Sequence, residues 1–157
     1  MKRILIASEN DRFRGPLFAA LLNLRFEEAG LNHRFVAESA GVLKTASGSL
    51  MSREAVQAAR NLEIHLPDLE EHAGRHILDP DVKLGEFDFI LCMGWSESAH
   101  FPKPSDVLKG GVKVGQAHRL SVKSPEGMGQ HAYDECARLL RDVAADRVRG
   151  FEAEYAD

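Results

Sequence analysis

The chain has 157 residues, 44% of them apolar and 28% charged, and a net charge of −4. That length suits one domain, and the composition excludes a disordered, collagen-like or disulfide-stapled chain. The mildly acidic balance lacks the footprint of a nucleic-acid binder, and no stretch approaches the ~20 apolar residues of a membrane span.

Lys2 to Ala7 is a β-branched and leucine run that reads as a buried strand. Ser8 to Gly15 is polar, and Pro16 then suits the first turn of a helix with Leu17, Leu21 and Leu24 at helical spacing. Gly30 sits where a C-terminal cap belongs. A second strand is predicted over His33 to Ala40. After a loop rich in Ser, Thr and Gly, Ser52 reads as the N-cap of a helix to about Leu62. Leu66 to His76 suggests another short helix. Glu86 to Met93 is a third strand and residues 112–117 a weaker fourth, with residues 103–111 the longest loop. Gln130 to Arg149 is the clearest helix, striped by Tyr133, Ala137, Leu140, Ala144 and Val148. Residues 151–157 read as an acidic, fraying tail beyond a single domain over 1–150.

Alternating strands and helices argue for an α/β fold, a parallel sheet with helices on both faces. In such a sheet, ligands bind beyond the carboxyl ends of the strands, so the loop Ser8, Glu9, Asn10, Asp11, Arg12, Phe13, Arg14 is the first place to look. It leads into a helix N-terminus, which offers free N–H groups to an anion, and Arg14 and Arg12 add charge-assisted donors. Its own carboxylates, Glu9 and Asp11, bring its formal charge to zero. Each carboxylate misplaced at about 4 Å from an anion costs ~4 kcal/mol at an effective dielectric near 20, unless internal ion pairs absorb it.

Two other groupings have chemical potential. His72 and His76, four residues apart with Glu71 nearby, have a zinc-compatible spacing, but no third ligand is evident and a polar helix end is the reading taken. Phe13, Trp95 and Phe101 either form an exposed patch for a partner or fill space that a substrate would use. Cys92 and Cys136 read as core thiols. The two distant cysteines, and an N-terminal apolar run too short for a signal peptide, place the protein in the cytoplasm.

The segment S-E-N-D-R-F-R-G-P after I-L-I-A resembles the anion-binding loop of low-molecular-weight protein tyrosine phosphatases and of thioredoxin-coupled arsenate reductases. That loop opens on a nucleophilic Cys and closes on an Arg, positions taken here by Ser8 and Arg14. Glu38-Ser39-Ala40-Gly41 is similar to the Ser-Ala-Gly after the second strand. Phe87 to Met93 resembles the strand ending in Met, and Ser124-Pro125-Glu126-Gly127 the Asp-Pro-x-Gly segment that carries the general acid. The resemblance implies a three-layer α/β/α sandwich with a four-stranded parallel sheet in the order 2-1-3-4.

The departures fall on the chemistry. Ser8 stands for the Cys, and a hydroxyl is far less ionised than a thiol, so it needs a base; no His lies next to the loop in sequence. Ser124 stands for the acid Asp, and Gly15 for the Ser after the Arg. Trp95 and Phe101 occupy the further reductase cysteine positions, which rules out a three-cysteine relay. The resemblance therefore implies a phosphatase-like protein with a degenerate site at Ser8, Arg14 and Ser124, acting without metal or cofactor by binding a phosphate-like anion or a protein. The alternative is a phosphomonoesterase that uses Ser8 as nucleophile.

Overall fold

The computed structural model describes residues 1–101 and 117–155. β1 (Lys2–Ser8) lies in the middle of the sheet, and its Ile4-Leu5-Ile6-Ala7 run is fully buried, as a strand covered on both faces must be. It pairs in parallel with β2 (Phe35–Gly41) on one side and β3 (Phe89–Cys92) on the other, which sets Ile6 level with Ser39 and Leu91. β4 (Ala117–Arg119) adds three residues in parallel beyond β3, giving the order β2-β1-β3-β4. The strand predicted from residue 112 enters this description only at Ala117. Residues 112–116, like most of the predicted long loop, lie outside the described residues.

α1 (Arg14–Glu28) begins where the loop after β1 ends, with Pro16 in its first turn, where a missing N–H breaks no hydrogen bond. Gly30, in the left-handed region, closes it as the Leu31 amide reaches back to the Phe26 carbonyl. α2 (Arg53–Asn61) is capped by Ser52, whose hydroxyl accepts the Ala55 amide. α3 (Trp95–Ser98) is a single turn after β3, and α4 (Gln130–Tyr155) is the longest helix.

Two sequence expectations are corrected. The helix predicted over Leu66 to His76 is only a 3-10 turn, Leu69–Glu71. Asp68 adopts a left-handed conformation that interrupts a helix, and the chain beyond is drawn into β-bridges, Leu50 with Ala73 and Gly41 with His76. The acidic tail is not a tail as far as Tyr155. The apolar stripe of α4 continues through Phe151, whose ring meets Phe26, Phe35 and Phe89, while Glu152 and Glu154 stay in water. Burial of the Phe151 ring, with the half-buried Tyr155 ring against Phe35 and Phe89, outweighs fraying of the charged positions between them.

The longer helices α1, α2 and α4 pack on one face, over Ile4, Ile6, Phe89 and Leu91. The other face (Leu5, Ala7, Ile90, Cys92) lies under Val42, Ile77, Val82, Phe87 and Phe101. Among the described residues that second cover is mostly irregular chain, with one 3-10 turn at Leu84–Glu86, where the sequence reading had a helical layer. Asp79, Pro80, Asp81 and Gly85 explain the irregularity, since all four favour turns.

Candidate functional site

The loop from Glu9 to Phe13 crosses the carboxyl end of β1 and is pinned from beneath. The Val42 and Leu43 amides donate to the carbonyls of Ser8 and Glu9 at 2.9 and 3.0 Å. Gly41 and Gly74 permit this close stacking: a β-carbon on Gly41 would stand 2.7 Å from the Glu9 carbonyl oxygen, and one on Gly74 3.1 Å from that of Asn10. The Thr45 hydroxyl donates to the Asn10 side chain. With the loop so held, the amides of Glu9, Asn10, Arg12 and Phe13 make no hydrogen bond to any described residue.

Asp11 is wholly buried in a left-handed conformation, which a short polar side chain tolerates. Its Oδ2 accepts the Arg75 amide at 2.9 Å and faces His72 Nε2 at 3.1 Å. His72 Nε2 also lies 3.0 Å from the Asp11 carbonyl oxygen. Both partners are acceptors, so Nε2 carries the proton. A histidine does therefore stand beside the loop, contrary to the sequence reading. It comes from a segment 61 residues further on, where spacing gives no sign of it. His76 turns to the Val42 carbonyl instead, and among the described residues no His, Cys, Asp and Glu cluster could hold a metal ion.

Arg14 is buried and donates through Nη1 to the Val122 carbonyl at 2.7 Å and through Nη2 to Glu97 Oε1 at 3.2 Å, with Glu9 at 3.9 Å. Two of its five N–H donors are thus committed within hydrogen-bond distance. Glu97, buried on α3 and braced by the Ser96 hydroxyl, is the site residue that sequence reasoning missed. Its only signal was an acid a few residues past an apolar strand. Arg12 spans the mouth, reaching the Leu50 carbonyl at 3.0 Å and Glu126 at 2.9 Å. Three of the loop's four charged side chains hence find partners outside it, Glu97 for Arg14, Glu126 for Arg12, and His72 with the Arg75 amide for Asp11, while Glu9 faces Arg14 within the loop.

Ser8, Arg14 and Ser124 line one small cavity of about 30 Å³, walled also by Ser52, Ala55 and Tyr133. Ser8 Oγ accepts the Asp11 amide at 3.2 Å. The Ser124 hydroxyl accepts the Glu126 amide at 3.3 Å, a local turn contact. Phe13 is buried against Tyr133, and Phe101 is buried on the opposite face of the sheet, so these two do not form the exposed patch the sequence suggested. The Trp95 side chain lies outside the described part of the structure. Cys92 and Cys136 are buried and free of disulfides, and burial pushes the Cys136 thiol up to about 11 against the pull of the Arg14 charge. No described helix is long and apolar enough to cross a membrane.

No family model matches the sequence, and comparison with curated proteins finds no match. Solved structures do match across almost the whole chain. A low-molecular-weight phosphotyrosine phosphatase from Vibrio cholerae superposes with a TM-score of 0.78 at 18% identity, over 99% of each chain. A Cys-to-Ser mutant of the arginine phosphatase YwlE, with a phosphorylated active-site serine, gives 0.76 at 20% identity, over 99% of this chain and 98% of that one. Wzb from Vibrio vulnificus, in complex with benzylphosphonate, gives 0.71 at 15%, over 95% and 98%. At such identities the likeness establishes the architecture: the chain has the fold of the low-molecular-weight protein tyrosine phosphatases.

Proposed function

We propose that this protein binds a phosphoryl-type anion on the Ser8–Arg14 loop and does not carry a phosphomonoester through turnover. One observation carries the reading: the loop keeps its donors while no acid stands at Ser124 to protonate a leaving group. Among the described residues, four amides of the loop have no hydrogen-bond partner, and Arg14 retains N–H groups beyond those given to Val122 and Glu97. Such preorganised donors suit an anion at a helix N-terminus. Ser124, at the place where the family resemblance would put an acid, is a hydroxyl engaged in a turn, and Glu126 is held by Arg12. A departing phenolate would leave unprotonated, which forfeits the roughly 10²–10⁴-fold that general acid catalysis supplies. Wzb, which shares the fold, is seen with a phosphonate, in keeping with this reading.

The second reading is a phosphomonoesterase with Ser8 as nucleophile, favoured by the phosphorylated serine in the YwlE mutant. Two measurements decide. Titration with inorganic phosphate, followed by calorimetry, is expected to show saturable binding that Arg14→Lys weakens; no binding overturns the proposal. Hydrolysis of p-nitrophenyl phosphate is expected to be no faster than with Ser8→Ala. Sustained turnover that Ser8→Ala abolishes establishes the phosphomonoesterase instead.

A further inference from the structure

One acid in the wall of the loop cavity has no close partner. Glu9 lines the cavity with Ser8 and Arg14, and its side chain is 42% exposed. Its Oε1 stands 3.9 Å from Arg14 Nη2, beyond hydrogen-bond distance, and among the described residues its carboxylate makes no hydrogen bond. The other three acids around the loop are engaged: Glu97 with Arg14 at 3.2 Å, Glu126 with Arg12 at 2.9 Å, and Asp11 with His72 and the Arg75 amide. The Arg75 guanidinium itself turns to Glu38 and Asp81. Among the described residues, four carboxylates thus meet the two guanidiniums of the loop, and Glu9 is the acid without a hydrogen-bonded partner. An anion on the loop arrives beside it.

A phosphoryl oxygen that accepts from Arg14 at about 2.8 Å stands within about 7 Å of Glu9 Oε1. That carboxylate repels a bare phosphate dianion, and an alkyl or aryl arm laid against it would strip its water without replacing it. An ammonium arm does the opposite: it gives Glu9 a charge-assisted hydrogen bond and cancels the surplus negative charge. Resting on the anion-binding reading above, we infer that the ligand is a phosphomonoester carrying its own cation, a primary ammonium about two carbons from the ester oxygen, and that Glu9 selects it. The phosphate end takes the loop amides and Arg14, and the ammonium end takes Glu9. The same arm occurs on lipid headgroups, which are phosphodiesters. With about 30 Å³ between Ser8, Ser52 and Tyr133, the cavity favours a terminal phosphate over one that bears a second ester arm.

Calorimetric titrations with phosphoethanolamine and with propyl phosphate, which carries a methyl group where the ammonium stands, test this. The wild-type chain is expected to bind phosphoethanolamine about tenfold more tightly, the gain of one charge-assisted hydrogen bond. Glu9→Gln, a change at a half-exposed position, is expected to erase that difference and to tighten inorganic phosphate about threefold. One substitution then moves two ligands in opposite directions, which a merely structural role for Glu9 would not do. Glycerophosphoethanolamine, the diester with the same arm, is expected to bind about tenfold more weakly than phosphoethanolamine; equal binding overturns the monoester assignment. Phosphoethanolamine that binds no tighter than propyl phosphate, or an advantage that survives in Glu9→Gln, overturns the inference, and inorganic phosphate binding in the same samples leaves the anion reading intact. No binding of any of these ligands overturns both.

Discussion

At the amino end of the sheet, Phe26, Phe35, Phe89, Phe151 and Tyr155 meet ring against ring, with centroids 5.1 to 6.3 Å apart. At the carboxyl end, Asp11 meets His72 and the Arg75 amide, and Arg14 meets Glu97 and the Val122 carbonyl, each through one or two named atoms. The aromatic end is held by area, which is non-directional and grows with every ring buried. The polar end is held by direction, and what its groups gain from one another is largely returned in desolvation. The contrast separates where this fold gets its stability from where it spends it on orienting donors.

The largest effect lies at the aromatic end. Phe151→Ala is expected to cost ~4 kcal/mol, the usual loss for a buried Phe with its cavity, and to lower Tm by about 10 °C or more. Affinity for inorganic phosphate should stay at the wild-type value. A calorimetric titration of the variant checks this, and a parallel loss of affinity would mean the two ends are coupled.

Glu97→Gln sharpens the comparison from the other side. It leaves the buried Arg14 with only the more distant, half-exposed Glu9 as counter-charge and is expected to cost about 3 kcal/mol in urea unfolding. It also removes the carboxylate that competes with an incoming anion, so inorganic phosphate should bind about tenfold more tightly. Stability and affinity then move in opposite directions, an outcome open only to the polar end. Weaker binding in Glu97→Gln would show instead that Glu97 orients Arg14 for its ligand.

The same contrast governs how much could be read from the sequence. The strands at Lys2 and Glu86, the Ser52 cap and the stripe of α4 were legible because hydrophobic period and capping are local. So was the loop itself, from its place between β1 and a proline-started helix. Glu97, His72 and the Glu126 partner of Arg12 were not, since a charge pair across 83, 61 or 114 residues leaves no periodic trace. The run of Asp and Glu past Arg149 misled for a related reason: composition marks a fraying end, but two aromatic residues four apart were enough to dock it.

A smaller effect is expected where the polar end meets water. Arg12 and Glu126 are both substantially exposed, so their ion pair is worth ~0–1 kcal/mol. Arg12→Ala should melt within about 3 °C of wild type. A larger loss would mean that the Leu50 carbonyl contact, and not the ion pair, is what closes the mouth.

The smallest effect concerns Cys136, which lies under the polar end and senses both regions. Burial in the helix-covered core raises its thiol to about 11, and the Arg14 charge only partly opposes this. An unfolded thiol ionises near ~8.5. The folded chain therefore holds this proton more tightly than the unfolded one. Below pH ~8.5 both states are protonated and the contribution to stability is whole; as pH rises toward about 11 the unfolded state alone ionises and the contribution is lost. Tyr155, raised chiefly by burial and also by Glu154, acts in the same direction at higher pH. Urea midpoints at pH 8 and pH 10 should fall further for wild type than for Cys136→Ser, whose hydroxyl does not titrate. Equal slopes would show that the thiol reaches water in the folded state, and that the packing between α4 and Lys123 is looser than its burial indicates.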